Sequence, residues 1–336
     1  MSSLALASIQ SRARELAPGV VVSLIVAAAA TFLSEHYGAP VMLFALLLGM
    51  SLNFLSGEGK CKPGIEFTAR SVLRIGVALL GMRITLEQIA GLGWKPVALV
   101  VTLVVVTILV SVVAAKLMGF QRLFGMLTGG ATAICGASAA LALAAALPNH
   151  PQKERAVLFT VIGVSALSTV AMILYPMIAN WVGLSPQMAG VFLGATIHDV
   201  AQVVGAGYSM STETGDTATV VKLMRVAMLL PVIVVAAMIT RMQGADTTGK
   251  RPPLLPMFAV GFLALACINS TGWVPQVVQG GVNELSRWCL VVAISALGMK
   301  TQIKELAAVG IKPILLMIGE TVFLVVLVLL LLQWAW

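Results

Sequence analysis

Residues 194–207 read GATIHDVAQVVGAG and place His198 and Asp199 in the middle of an apolar segment. A second stretch, GGATAICGASA at 129–139, shares the tripeptide Gly-Ala-Thr with the first. A glycine in a helix interior costs about 1 kcal/mol relative to alanine, so the clustered glycines indicate a broken helix or very close helix packing. In lipid, a broken helix persists only where protein or a water-filled cavity satisfies the freed backbone groups. The two stretches therefore predict an internal site, provided that the chain lies in a membrane.

The composition places the chain in a membrane. Of its 336 residues, 59% are hydrophobic and 10% are charged, and the mean hydropathy is +1.01. An average soluble domain has about 25% charged residues, and a soluble fold of this length cannot bury so much apolar surface. This excludes a soluble enzyme, a secreted disulfide scaffold and a disordered protein. The sequence predicts an all-α integral membrane protein.

The charges and cysteines give no sign of nucleic acid, metal or cofactor. The formal net charge is +8, but the basic residues lie in short loops, as in the positive-inside bias of membrane proteins. The four cysteines, Cys61, Cys135, Cys267 and Cys289, are scattered and lack metal-ligand spacing. We expect no cofactor, no metal and no nucleic-acid partner, and the surrounding partner is membrane lipid.

The hydrophobic pattern predicts about eleven segments in one polytopic membrane domain, 1–336. The segments are 18–34, 40–56, 65–82, 94–117, 122–147, 155–180, 186–210, 217–241, 254–272, 283–299 and 312–332. If the N-terminus is inside and every segment spans, twelve Lys and Arg residues lie in inside loops and four in outside loops. If 122–147 and 186–210 instead re-enter, Lys153 and Arg155 move inside and the counts become 14 and 2. Both topologies predict a cytoplasmic N-terminus and a periplasmic C-terminus, and both remain open.

An internal repeat relates the two ends of the chain. Residues 79–96 read LLGMRITLEQIAGLGWKP and residues 296–313 read ALGMKTQIKELAAVGIKP, at a constant shift of 217. The two copies are an odd number of segments apart, which predicts opposite senses across the membrane. We expect approximate halves, 18–150 and 186–336, related by an inverted-topology repeat. The alternative is a recurrent helix-end motif without wider symmetry.

The two glycine-rich segments supply the candidate substrate site. Broken helices present free N–H groups and the positive end of a helix dipole, which attract anions. The candidate substrate-binding residues are Gly130, Thr132, Cys135, Gly136, Ala137, Ser138, Gly194, Thr196 and Gln202. The alternative is that these small residues serve only helix packing.

Ionisable residues inside the membrane are candidates for ion coupling, because a charge at mid-bilayer is unfavourable by roughly 2.5–3.5 kcal/mol. His198, Asp199 and Glu320 are the coupling candidates. The alternative for His198 and Asp199 is a structural polar pair. Arg225 either contacts an anion or extends its side chain to the interface.

The two motifs, together with LLGMRI at 79–84, resemble the YeiH-type family of bacterial inner-membrane proteins, which are proposed sulfate exporters. The resemblance implies kinship with cation/proton antiporters and bile-acid-type carriers, which have inverted repeats and crossing broken helices. It implies a secondary active transporter of a sulfur-containing anion such as sulfate, sulfite or a sulfonate, coupled to H⁺ or Na⁺. A homodimer is expected by analogy alone. One feature departs from those relatives, because the shifted copy follows the His-Asp segment instead of preceding it.

Two other classes of function compete with a transporter. An anion channel has no need of an inverted repeat. An integral-membrane enzyme using His198 and Asp199 would need more ionisable groups at one depth, whereas His36 and His150 lie in loops. We therefore expect an alternating-access transporter and no enzymatic activity.

Overall fold

The chain folds as helices throughout the residues that the computed structural model describes, which are 2–38, 40–57, 59–148, 153–242, 257–301 and 311–335. In chain order these are α1 (Ser2–Tyr37), α2 (Val41–Ser51), α3 (Lys62–Phe67), α4 (Leu73–Leu79), α5 (Leu86–Gly91), α6 (Lys95–Leu117), α7 (Arg122–Ala133), α8 (Ala137–Ala146), α9 (Lys153–Val182), α10 (Pro186–Thr196), α11 (Val200–Met210), α12 (Thr212–Ala227), α13 (Leu229–Met242), α14 (Met257–Ser270), α15 (Gln276–Lys300) and α16 (Ile311–Ala335). A π turn at Thr68–Val72 joins α3 to α4, and 3₁₀ turns lie at Asn53–Ser56 and Leu80–Met82. The predicted all-α membrane class is confirmed.

Six stretches of described helix are long and apolar enough to cross a membrane. They are Ser11–Tyr37, Lys95–Leu117, Lys153–Val182, Thr212–Met238, Gln276–Lys300 and Ile311–Trp334. Shorter apolar helices lie at Val41–Ser51, Ala137–Ala146 and Met257–Ser270. Large apolar side chains such as Leu109 and Val113 are exposed on these helices, as lipid-facing side chains must be.

The helices divide into two compact units. The first contains residues Met1–Ile89 and Met257–Gln302, and the second contains Ala90–Pro256 and Ile303–Trp336. Each unit takes helices from both ends of the chain. The units therefore do not coincide with the halves 18–150 and 186–336, which stay a prediction.

The first unit is built on two antiparallel helices that occupy matching places in the repeat. Ile65 of α3 shares a buried cluster with Met299, near the end of α15. Gly76 of α4 packs against Cys289, ten residues earlier in α15. Because contacts move backwards along α15 as they move forwards along α3 and α4, the two run in opposite directions.

The shift of 217 found in the sequence also relates whole helices. Adding 217 to the bounds of α2 gives 258–268, which falls inside α14, and adding it to those of α6 gives 312–334, which falls inside α16. A Cβ added at Gly298 would overlap the Leu46 carbonyl of α2, and a Cβ at Gly81 would overlap the Phe262 carbonyl of α14. Adding 217 to the number of Gly81 gives Gly298, and adding it to that of Leu46 gives residue 263, next to Phe262. The shift therefore maps each close approach onto the other. The similarity at this shift therefore extends beyond the two motif stretches to these helices, and the inverted relation of the halves 18–150 and 186–336 stays a prediction.

In the second unit, the glycine-rich segments 122–147 and 186–210 each fold back as a helical hairpin. A Cβ added at Gly130 of α7 would overlap Leu143 Cδ1 of α8, although these residues are thirteen apart in sequence. Ala218 of α12 lies against both Gly194 of α10 and Gly207 of α11. Two collinear arms could not make such contacts at a rise of about 1.5 Å per residue. Such hairpins are the shape that the re-entrant alternative requires, and the placement of these segments in the membrane stays a prediction.

Close packing of small residues holds the first arm of each hairpin. A Cβ at Gly125 would lie 2.7 Å from the Ser111 carbonyl of α6, and a Cβ at Gly194 would lie 2.5 Å from the Ala218 carbonyl of α12. The glycine clusters therefore serve both a helix break and close helix packing, because each segment is interrupted and its first arm also packs closely against a neighbouring helix.

Candidate functional site

The site is formed where the two hairpins turn. Helix α7 ends at Ala133 and α8 begins at Ala137, with Gly136 between them at φ 62° and ψ −126°. This backbone conformation is essentially restricted to glycine. Helix α10 ends at Thr196 and α11 begins at Val200. A Cβ at Gly136 would lie 3.6 Å from the His198 carbonyl oxygen, so the two breaks are in contact.

Lys222 of α12 joins the two breaks. Its Nζ donates hydrogen bonds to the carbonyls of Ile134 (2.7 Å), Ile197 (2.9 Å) and His198 (2.5 Å). Three carbonyl acceptors match the three N–H groups of an ammonium. The side chain is fully buried. The sequence does not single out Lys222 as a site residue, because nothing in its own segment indicates which carbonyls it contacts.

Arg225 lies one turn further along α12 and also joins the two breaks, through four hydrogen bonds to backbone carbonyls. Its Nε donates to Ala133 O (2.9 Å), Nη2 to Thr132 O (2.8 Å), and Nη1 to Gly194 O (3.1 Å) and Ile197 O (2.9 Å). The side chain is 0% exposed. Arg225 therefore does not extend to the interface. Its described hydrogen bonds all go to the backbone, and the predicted anion contact stays a prediction.

The two cations stabilise the carboxyl ends of α7 and α10. The last carbonyls of a helix have no partners within the helix and carry the negative end of its dipole. Lys222 and Arg225 satisfy these carbonyls in both first arms at once. The same two side chains also lie near the amino ends of α8 and α11, which begin on the other side of each break.

The amino ends of the two second arms differ. Asp199 caps α11, where its Oδ1 accepts from the Ala201 N–H (3.3 Å), and its own N–H donates to Ser168 Oγ (3.0 Å). Helix α8 is preceded by Gly136, which has no side chain to act as a cap. Ala137 is half-buried and Ser138 is exposed. The start of α8 is therefore accessible and has no side-chain cap from Gly136, although the Cys135 thiol contacts the Ala139 N–H, whereas the start of α11 already carries a carboxylate.

His198 connects the breaks to α16. Its Nδ1 lies 3.1 Å from Thr132 O and its Nε2 lies 3.0 Å from Thr321 Oγ1. A carbonyl only accepts, so Nδ1 carries the proton that points at Thr132 O. The Thr321 hydroxyl, which contacts Nε2, also donates to Met317 O of its own helix (2.8 Å). The imidazole is fully buried. Its role in coupling stays a prediction.

Glu320 of α16 is surrounded by hydroxyl groups. Thr128 Oγ1 donates to its Oε1 (2.7 Å), Thr132 Oγ1 donates to its Oε2 (3.0 Å), and Ser111 Oγ also contacts Oε1. The residue is 3% exposed. Thr132 is thus shared, because its hydroxyl binds Glu320 and its carbonyl binds Arg225 and His198. Partner hydroxyls on α6 and α7 could not be identified from sequence alone.

Several predicted binding residues are buried around the breaks. The Thr196 hydroxyl donates to Phe192 O of its own helix (2.6 Å), so it is already occupied. Gly130 and Gly194 are packed against other chain segments and present no open backbone. As substrate contacts, these three stay predictions.

Gln202 and Cys135 lie closer to the breaks. Gln202 is buried on the first turn of α11, and its Oε1 has no hydrogen-bond partner among the described residues. Cys135 is a free, buried thiol immediately before Gly136. Within the described residues, no group of three or more His, Cys, Asp and Glu side chains is arranged to hold a metal ion.

The long apolar helices and the two helical hairpins of the described residues define an all-α integral membrane protein. The chain belongs to the family described as Conserved hypothetical protein 698, which matches residues 18–317. The family membership predicted from the motifs is confirmed.

The similar proteins are also membrane proteins. A UPF0324 membrane protein of Chlorobaculum tepidum is 58% identical over 314 residues, covering 93% of this chain and 88% of that protein. The UPF0324 membrane protein TauZ of Paracoccus denitrificans is 55% identical over 314 residues, or 93% of both chains. A UPF0324 membrane protein of Rhizobium meliloti is 51% identical, covering 93% of this chain and 91% of that protein.

Proposed function

We propose that the protein is a secondary active transporter of a small anion. The observation that carries the proposal is the accessible start of α8, where Gly136 supplies no side-chain cap, beside the buried basic side chains of Lys222 and Arg225. Ala137 and Ser138 begin this helix, and their N–H groups belong to the first turn, which has no intrahelical acceptors. Such a terminus binds anions, because its N–H groups and dipole both favour negative charge.

The anion that fits best is a small oxyanion. The Ser138 hydroxyl and the two adjacent N–H groups offer several donors within one turn, which suits an anion with more than one oxygen. The resemblance to YeiH-type proteins supports a sulfur-containing anion, and sulfate, sulfite and a sulfonate are therefore the substrates to test. Gln202, with its unpaired buried oxygen, would accept a donor from a substrate or water.

Asp199 is the coupling group that we propose. Its carboxylate lies at the contact between the two breaks, where a substrate anion at α8 would be repelled by it. Uptake of H⁺ by Asp199, or binding of Na⁺ beside it, removes that repulsion. A cation and the anion would then move together. His198 and Glu320 would relay the change to α16 through Thr132, which both side chains contact.

The inverted repeat supports alternating access, since two mirrored halves can form two mirrored open states. We place the protein in the inner membrane with its N-terminus in the cytoplasm and its C-terminus in the periplasm. The hairpin topology supports this orientation, because it puts 14 basic residues in inside loops and two outside. A homodimer remains a proposal by analogy with related carriers.

Tracer flux into proteoliposomes tests the function. We expect saturable uptake of sulfate, sulfite or a small sulfonate that depends on an imposed H⁺ or Na⁺ gradient. Asp199→Asn should keep the fold, because asparagine also caps helix N-termini, but it should lose the gradient dependence.

Two results would contradict the proposal. Well-folded protein that moves none of the three anions would remove the sulfur-anion assignment. Gradient-driven uptake that is unchanged in Asp199→Asn would remove Asp199 from coupling.

A further inference from the structure

A pocket of about 220 Å³ lies where four helices of the second unit end, away from the two breaks. The start of α7, the end of α8, the start of α9 and the start of α16 form its walls. The lining is mainly apolar and includes Phe120, Phe124, Leu127, Leu147, Ala156 and Phe159. Helix ends mark the level at which a membrane protein leaves the hydrocarbon, so an apolar pocket here adjoins lipid headgroups.

Two basic residues complete the pocket lining. Lys153 is half-buried, and its Nζ donates to Leu147 O at the end of α8 (2.8 Å). Arg155 is exposed, and its Cζ lies 5.0 Å from the centre of the Phe159 ring. Both cations are therefore held beside apolar walls.

The surroundings of the pocket are also basic. Lys116, Arg122 and Lys312 are exposed at or next to the same helix ends. Among the described residues adjoining the lining, Glu154 is the acidic one. The charge of this surface is complementary to an anionic headgroup.

We propose that this pocket binds an anionic phospholipid, with an acyl chain against the phenylalanines and the headgroup phosphate at Lys153 and Arg155. Basic pockets between the helix ends of membrane proteins bind such headgroups. A free phosphate would gain nothing from the apolar walls, whereas a zwitterionic lipid would gain little from the cations. The lipid would hold α8, α9 and α16 together at the base of the first hairpin. This inference does not depend on the transported substrate.

Native mass spectrometry of the purified protein in detergent, titrated with phosphatidylglycerol, measures the binding. Each basic residue near an anionic headgroup contributes about fivefold in affinity, so Lys153→Gln with Arg155→Gln should weaken binding about thirtyfold. Lys60→Gln with Arg287→Gln is the matched control, because both residues are exposed in the first unit. The control should bind like the parent protein.

Two further arms separate the contributions of the headgroup and the acyl chain. Ala156→Trp fills the apolar pocket and should also reduce phosphatidylglycerol binding, with both cations in place. Phosphatidylcholine and inorganic phosphate should each bind much more weakly than phosphatidylglycerol. Equal binding of the two lipids, equal binding of inorganic phosphate, or parent-like binding in the Lys153 and Arg155 double variant would overturn the proposal.

Discussion

Replacing Arg225 tests the role of the cations that join the two hairpins. Arg225→Leu leaves an apolar side chain at this position and removes every N–H donor of the guanidinium. The carbonyls of Thr132 and Ile197 would keep a second partner, because His198 and Lys222 also contact them. The carbonyls of Ala133 and Gly194 would lose the side-chain donor that Arg225 supplies.

The size of the effect follows from those two carbonyls. Leaving a buried hydrogen-bonding group unpaired costs about 1–3 kcal/mol, so the expected loss is about 2–6 kcal/mol. Total stabilities are about 5–15 kcal/mol, so this loss is a large share. Arg225→Lys should lose less, because an ammonium can restore some of the bonds while lacking the planar geometry of the guanidinium.

Equilibrium unfolding in detergent, followed by circular dichroism, measures these differences. The control is Arg287→Leu, because Arg287 is exposed and its pair with Glu284 at 3.8 Å should contribute about 1 kcal/mol or less. Arg225→Leu within about 0.5 kcal/mol of the parent would refute the structural role. Parent-like stability in Arg225→Lys together with lost anion binding would instead support a direct anion contact.

Three further substitutions probe the site and the repeat. Glu320→Gln should keep the unfolding midpoint, because the surrounding hydroxyls can reorient, but should remove the gradient dependence of uptake; gradient-driven uptake at the parent rate would contradict its role in the relay. Gly136→Ala forces a side chain into a glycine-only conformation and should reduce stability by about 1–3 kcal/mol, with unchanged stability as the contrary result. Gly298→Ala places a Cβ on the Leu46 carbonyl and should destabilise the protein, whereas Gly280→Ala on the same helix has open space and should stabilise it by about 0.5–1 kcal/mol. Equal effects of the two glycine substitutions on unfolding would argue against the close α2–α15 contact.

Much of the fold could be predicted from local sequence. The apolar runs predicted the long helices, and the glycine clusters at 129–139 and 194–207 predicted the two breaks. The shift of 217 predicted the inverted relation between α4 and α15, because helix ends that need the same close approach keep the same glycine. The apolar runs and glycine clusters are local signals and the repeat is a comparison of the chain with itself, so a single sequence carries all three.

The bonding of the site depended on contacts between distant segments. The choice between spanning and re-entrant segments depends on whether Leu143 returns to Gly130, which no local pattern encodes. Lys222 and Arg225 looked like isolated charges until the carbonyl ends of α7 and α10 were placed around them. The hydroxyl partners of Glu320 are separated from it by about 190 or more residues and were missed for the same reason.

Deleting one N–H group at the start of α8 tests the proposed anion site most directly. Ala137 is the first helical residue after Gly136, a position where proline is well tolerated, so Ala137→Pro removes this donor and leaves the helix intact. Val200→Pro is the matched control at the start of α11, where Asp199 already occupies the amino end.

The measurement is the concentration of sulfate, or of whichever of the three anions is transported, that half-saturates uptake into proteoliposomes. A hydrogen bond to a charged group contributes about 1.5–3 kcal/mol, so Ala137→Pro should raise this concentration by about tenfold to a hundredfold. Val200→Pro should leave it near the parent value. Parent-like half-saturation in Ala137→Pro would contradict anion binding at the start of α8.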